Sequence, residues 1–371
     1  MPRASRILRL TSLATNMTWS NTEEEERSRQ FLDSLKDGAF DFMLSVAADV
    51  KSVEWQDPAR MGMRSWLQRK SPHMPTDTVT FSEPFQTALM KHLECFADAF
   101  ITNLPNVLRK LRIDEDEQRQ LSQTHEHDLN LERFLIIIAY SYEGRPDSGG
   151  NFWGDEESNL AGFMTWASRR ASTPLVTAFC EMLQAISENE ENATSAHQFL
   201  LDEGSHGSGK LRRSLSLTWS QIFKELVFFS EKLREKPAPT PTTYHPGKPN
   251  AAQVEAEPES AMMLECYLRL ITKLATESET VRLFLIQNEV GLVDVLFQLA
   301  SRQIPPRLRA CTFWALGALV SRKAVEEGYL MWTSVDNWTT GFYSTPPGGQ
   351  GTGYPKLSHA PAAAPERVLE E

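Results

Sequence analysis

The chain has 371 residues, of which 41% are hydrophobic and 23% are charged, and its net charge at pH 7 is −11. This composition is typical of a folded protein and excludes wholesale disorder. The excess of 49 acidic over 38 basic residues argues against nucleic-acid binding by the whole surface, because phosphates are bound by a basic field. No apolar run approaches the roughly 20 residues of a membrane-spanning helix, so we expect no membrane insertion.

The four cysteines lie far apart in the sequence, at Cys95, Cys180, Cys266 and Cys311. No CxxC pair occurs, so the pattern does not predict a zinc ribbon or a thioredoxin-like motif. A chain of this size with so few cysteines is typical of a reduced, intracellular protein. We expect no metal and no cofactor.

The first 22 residues differ in composition from the rest of the chain. Arg3, Arg6 and Arg9 alternate with apolar and hydroxyl residues, and no acid occurs before Glu23. This composition is found in mitochondrial presequences. Nothing downstream indicates a mitochondrial enzyme, so residues 1–22 are interpreted as a divergent or disordered tail.

Residues 23–236 predict a series of helices. Apolar residues recur every three or four positions over 31–50, which places them on one helical face, although Gly38 weakens that prediction. The same period continues over 85–104, and Pro105 then restarts or kinks the helix.

The middle of this region contains the most apolar segment of the chain. Residues 129–142 are apolar almost throughout, which predicts a helix buried on most sides. The acid run Asp114–Glu117, just before it, is interpreted as a solvated turn or a helix start. Further helices are predicted at 159–170, 174–188, 193–202 and 219–236.

The second half divides at a proline-rich stretch. Residues 237–260 contain six prolines and almost no large apolar side chain, which predicts a linker or an insertion loop. Residues 261–342 then show four short amphipathic helices in a rhythm typical of armadillo/HEAT repeats. Residues 307–323 resemble the long inner helix of such a repeat, and Trp314 is expected in its core. Residues 343–371 are predicted as a loop and the start of another helix.

Together these elements predict an all-α fold of the armadillo/HEAT type, an α-solenoid of superhelical repeats. Strand signals are confined to four residues, Thr78–Phe81, which lack a partner.

Two short motifs bear on enzyme chemistry. Gly204–Lys210 matches the opening of a phosphate-binding loop, but Leu211 follows where a hydroxyl is required, and a helix precedes it where a strand is required. We therefore interpret 204–214 as a flexible loop. His125 and His127 are two residues apart and do not face each other on a helix. The sequence favours a protein that is not an enzyme.

One candidate binding surface emerges from the helix at 159–170. Leu160, Phe163 and Met164 form its apolar stripe, whereas Trp166 projects to another side, shared with two basic residues, Arg169 and Arg170. A tryptophan beside arginines is a composition typical of binding hot spots. The alternative is a tryptophan packed against the neighbouring repeat. Leu108 is a weaker candidate of the same kind.

Longer segments of the chain resemble a known family. They include SNLAGFMTWASRRASTPLVTAFCEML, EPESAMMLECYLRLITKLATES and RLRACTFWALGAL, and the similarity runs from about Glu23 to the C-terminus. These segments resemble the large inner-ring scaffold nucleoporins of filamentous fungi, relatives of the larger vertebrate giant adaptor nucleoporin. Members of that family are several times longer, so the resemblance implies an internal piece of the N-terminal half.

The resemblance implies a structural role at the nuclear pore complex, in the nuclear envelope. It implies an α-solenoid scaffold of the inner ring that supports nucleocytoplasmic transport by binding short segments of linker nucleoporins. The expected partners are the linker nucleoporin with an RNA-recognition-type fold and other inner-ring nucleoporins. Two alternatives remain: a karyopherin-like transport receptor, which would bind the small GTPase Ran, and an enzyme using the glycine loop, which ATP would stabilise through Lys210.

Overall fold

The computed structural model describes ten ranges of the chain: 21–50, 62–70, 82–120, 128–155, 157–169, 172–201, 216–235, 258–302, 304–320 and 325–339. Several predictions fall outside them. They are those for the N-terminal tail up to residue 20, the strand signal at 78–81, the two histidines at 125 and 127, the glycine loop at 204–214, most of the proline-rich linker, Arg170, and residues 343–371.

The described residues form helices and turns, with one short 3-10 helix at Gly150–Phe152 and one isolated antiparallel bridge between Arg169 and Ser216. The helices are α1 (Asn21–Lys36), α2 (Ala39–Val50), α3 (Gly62–Lys70), α4 (Glu83–Asn103), α5 (Pro105–Gln120), α6 (Asn130–Tyr142), α7 (Pro146–Gly149), α8 (Asn159–Ala167), α9 (Thr173–Ile186), α10 (Glu190–Leu201), α11 (Trp219–Glu235), α12 (Pro258–Glu277), α13 (Glu279–Gln287), α14 (Leu292–Ser301), α15 (Pro306–Leu319) and α16 (Val325–Thr339).

Five helices form a row in which each packs against the next: α2, α6, α9, α12 and α15, here called the inner row. The remaining helices cover this row; for example, α4 packs on α6 and α14 packs on α15. Repetition of helices along one direction, with a continuous core between two layers, is the architecture of a solenoid. The predicted all-α solenoid is confirmed.

Helix α6 is the most deeply buried element of the inner row. All thirteen residues from Asn130 to Tyr142 are buried. The sequence predicts this burial, because its apolar residues leave no polar face for solvent. Two of its polar side chains have polar partners: the Arg133 guanidinium lies 2.7 Å from the Asp41 carboxylate, and the Tyr142 hydroxyl donates a hydrogen bond of 2.5 Å to Asp98.

The predicted helical face over 31–50 is divided between two helices. Gly38 adopts φ +83°, its amide donates to the Leu35 carbonyl at 2.8 Å, and α2 starts at the next residue. Glycine suits this position because residues with a Cβ are disfavoured in left-handed backbone. The break lets α1 and α2 pack on each other, so both halves of the apolar face still enter the core.

We expect Gly38→Ala to lower the free energy of unfolding by about 1 kcal/mol, because alanine is strained at this φ. Chemical unfolding followed by circular dichroism measures the change. The matched control is Gly317→Ala, at an exposed position inside α15 with open space around an added Cβ. There the higher helix propensity of alanine should stabilise the chain. Equal effects of the two substitutions would contradict the explanation.

Three local predictions differ from the structure. The acid run Asp114–Glu117 lies inside α5, where the Lys110 ammonium pairs with the Asp114 carboxylate one turn away at 2.5 Å. Trp314 is not in the core: it is 42% exposed, because α15 has apolar residues on all sides and buries Leu308, Cys311 and Ala315. Helix α12 also begins at Pro258, three residues before the predicted start.

Within the described ranges, no single helix is long and apolar enough to cross a membrane. The bent pair α13 and α14, with 76° between them, meets that criterion only when its two helices are taken together.

Candidate functional site

Trp166 lies on α8, a short helix at the surface beside α4. The helix begins where the Ser158 hydroxyl accepts a hydrogen bond from the Ala161 amide at 3.1 Å, an N-cap of the usual kind. Phe163 and Met164 are buried, whereas Trp166 is only half-buried. The helix therefore directs one apolar face inward and leaves the indole at the boundary between core and solvent.

The Trp166 indole is the outer end of a row of aromatic rings that crosses the core. Successive ring centroids are 4.7 Å apart from Phe31 to Phe100, 4.7 Å from Phe100 to Phe134, 5.9 Å from Phe134 to Phe163 and 5.7 Å from Phe163 to Trp166. These separations lie in the range of favourable ring contacts. The indole is thus held by rigid neighbours while part of its surface stays accessible.

Arg112, on α5, completes the surface around Trp166. Its guanidinium carbon lies 5.8 Å from the centroid of the indole, a cation–π contact, and its Nη2 donates a hydrogen bond of 3.0 Å to the Arg169 carbonyl. Sequence reasoning missed this residue. Arg112 and Arg169 are 57 residues apart, and only packing of distant helices brings them together.

The segment that follows the glycine loop fixes the end of α8. The Leu217 amide donates to the Ser168 carbonyl at 2.8 Å, and Arg169 and Ser216 form the isolated bridge. The Arg169 side chain remains exposed. The backbone here is therefore held from both sides while the guanidinium points to solvent.

The predicted site residues have different positions in the structure. Trp166 and Arg169 share the surface just described, and Arg170 lies outside the described residues. Leu108 is only 6% exposed and belongs to the hydrophobic core, so it packs inside the fold and is not part of this surface.

Two buried carboxyl groups, those of Glu115 and Glu132, lie close enough to interact electrostatically. Glu132 is 2% exposed, and burial raises the pKa of its carboxyl to about 8 despite the backbone hydrogen bond that lowers it, so it is mostly neutral at pH 7. Glu115 is also buried and accepts a hydrogen bond from the Ser172 amide at 3.2 Å. Of the two arginines at the site, Arg169 is exposed, whereas Arg112 is only partly exposed.

The row of packed helices places this protein in the class of helical-repeat proteins. Comparison with known proteins identifies the family. A profile described as "Nuclear pore complex scaffold, nucleoporins 186/192/205" matches residues 2–370, so the chain belongs to the Nup192 family. Membership places it at the nuclear pore complex of the nuclear envelope, in a structural rather than a catalytic class.

Two curated relatives agree with this assignment. Nucleoporin NUP192 of Chaetomium thermophilum is 60% identical over 332 residues, which cover 89% of this chain and 19% of that protein. Nucleoporin nup186 of Schizosaccharomyces pombe is 24% identical over 323 residues, which cover 82% of this chain and 19% of that protein. The chain therefore spans about a fifth of the length of the relatives it matches.

Proposed function

We propose that this chain is a scaffold segment of the nuclear pore inner ring that binds a short segment of a linker nucleoporin, the one with an RNA-recognition-type fold. Other inner-ring nucleoporins would be its neighbours, and no nucleic acid is involved. The observation that carries the proposal is the Trp166 surface: an indole held by the aromatic row, with Arg112 stacked on it and Arg169 exposed beside it.

The chemistry of this surface defines the segment that it would bind. The accessible part of the indole offers contact area for an apolar side chain, and Arg169 offers a charge for a carboxylate one or two residues away. Burying an apolar anchor contributes about 1.5–3 kcal/mol, and ordering of a disordered peptide opposes part of this. Micromolar affinity corresponds to about 8 kcal/mol, so the segment would need several such anchors.

The test is a calorimetric titration of the 371-residue chain with overlapping peptides of that linker nucleoporin. We expect one peptide with an apolar residue next to an acidic one to bind, and Trp166→Ala to weaken that binding at least tenfold. The matched control is Trp332→Ala, because Trp332 is 69% exposed on α16, and this variant should bind as the unaltered chain does.

The outcomes separate the site from the function. Equal losses in the two tryptophan variants, or no loss in Trp166→Ala, would remove the Trp166 surface from the proposal. Failure of every peptide to bind a folded chain would contradict linker binding by this segment. Binding of Ran in place of a linker peptide would favour the transport receptor.

A further inference from the structure

Helix α3 packs on the inner row, against helices that are far from it in the sequence. It packs against α9 and α12, and its Met63 and Leu67 side chains are fully buried. Arg64, between them, is 5% exposed. A nine-residue helix thus inserts two apolar side chains and one cation into the surface of the inner row, which is how an amphipathic peptide occupies a groove.

The Arg64 guanidinium is recognised by three groups at once. Its Nη2 donates to the Glu143 carboxylate at 2.8 Å, its Nε lies 3.7 Å from a Glu181 carboxylate oxygen, and its carbon lies 4.3 Å from the centroid of the Tyr140 ring. A planar cation held by carboxylates and an aromatic face is geometry that arginine fits and lysine does not. The contacts at this position therefore favour arginine over lysine.

The inner row has its own ion pairs beneath α3. Arg269 of α12 pairs with Glu181 of α9, and Arg307 of α15 pairs with Glu265 of α12 at 3.1 Å. The Glu143 side chain is 18% exposed, so water reaches it. If α3 left, Glu181 and Glu265 would keep these cationic partners. The inner row does not need α3 to balance its charges.

We propose that the groove beneath α3 is a peptide-binding site, which α3 fills within the same chain. Its lining is the Glu143, Glu181 and Tyr140 set with the apolar pockets for Met63 and Leu67. Its ligand is a short helix with an arginine preceded by one apolar residue and followed, three positions later, by another. This site is separate from the Trp166 surface and goes beyond the function proposed above.

A segment of another protein with this pattern would have to compete with α3. Because α3 is tethered to the same chain, its effective concentration at the groove is on the order of millimolar. A free peptide of equal intrinsic affinity, present at micromolar concentration, is therefore outcompeted by α3. The groove is thus closed by default and opens only to a partner that binds more tightly or that holds α3 away. The partner is a basic amphipathic helix, in contrast to the acidic segment expected at Trp166.

The first experiment supplies α3 in trans. A variant of the full chain with Met63→Ser, Arg64→Ala and Leu67→Ser loses the side chains that occupy the groove. A fluorescein-labelled peptide of residues 61–71 is titrated into this variant and into the unaltered chain, and anisotropy is read. We expect at least tenfold tighter binding to the variant, and at least a tenfold loss when the peptide carries Arg64→Ala. Equal binding to both chains, or by both peptides, overturns the proposal.

The second experiment tests the proposal without the triple variant, in case that variant fails to fold. In the full chain with Arg64→Ala alone, Met63 and Leu67 keep their packing, and hydrogen exchange is followed by mass spectrometry. We expect the amides of residues 62–70 to exchange at least tenfold faster, while those of α9 and α12 stay within twofold of the unaltered chain. Loss of protection in α9 and α12 together with α3 would show that α3 is an integral part of the core, and would overturn the proposal.

Discussion

Phe100→Ala is expected to lower the free energy of unfolding by about 3–5 kcal/mol, the range for removing a large aromatic side chain from a close-packed core. Phe100 is fully buried and lies between two rings of the aromatic row, with Phe31 stacked on it and Phe134 edge-on, each at 4.7 Å. Because these neighbours come from α1 and α6, they are held by separate helices and cannot collapse together into the cavity.

The measurement is denaturant unfolding followed by circular dichroism. The dependence of the unfolding free energy on denaturant concentration is compared between variants, so that a change in stability is separated from a change in its slope. Phe228→Ala is the matched control, since Phe228 is 64% exposed on α11 and its removal should change stability by no more than about 0.5 kcal/mol. A loss below about 1 kcal/mol for Phe100→Ala would mean that the aromatic row is not a core of this domain.

The second large effect is a pH dependence that arises from Glu132. In the folded chain, burial raises the pKa of this carboxyl to about 8, whereas its ordinary value is 4.5. Between these two pH values the folded chain keeps a proton that the unfolded chain releases. The free energy of unfolding therefore falls as the pH rises from about 4.5 to about 8, by up to roughly 5 kcal/mol for this group, and no further loss follows above that range.

Glu132→Gln should remove this dependence, because an amide of the same shape does not titrate. We expect the variant to gain stability relative to the unaltered chain as the pH rises from 5 to 8, in denaturant unfolding at each pH. Glu231→Gln, at an exposed position on α11, is the control. It should leave the difference in unfolding free energy between pH 5 and pH 8 the same as in the unaltered chain. Parallel pH profiles for the unaltered and Glu132→Gln chains would contradict the burial argument.

The sequence predicts elements well where the local pattern alone decides them. Burial of α6 follows from its continuous apolar composition, and the succession from α12 to α15 follows from short amphipathic helices with brief joins. Gly38 weakens the predicted helix over 31–50, and its left-handed φ is where the chain breaks. In each case the cause lies within a few residues of the effect.

The errors arise where distant residues decide the outcome. Trp314 is exposed because α15 has apolar residues on every side, and only its neighbours determine which side is covered. Arg112 reaches Trp166 through the packing of α5 near α8, which no spacing in the sequence reveals. The same holds for Arg64, whose partners Glu143 and Glu181 are recognisable only after α3 is placed on the inner row.

The burial of α6 on every side has a consequence for how the chain tolerates change. A helix with a solvent face accepts substitutions at two or three positions per turn, so a map of mutational tolerance along it oscillates with the helical period. Helix α6 has no such face, and its neighbour α9 buries all but Thr173 and Gln184. In a saturation mutagenesis scan, almost every position of these two helices should therefore be intolerant of substitution, with no oscillation at the helical period. Related chains that diverge elsewhere would be expected to keep them nearly unchanged in volume and polarity.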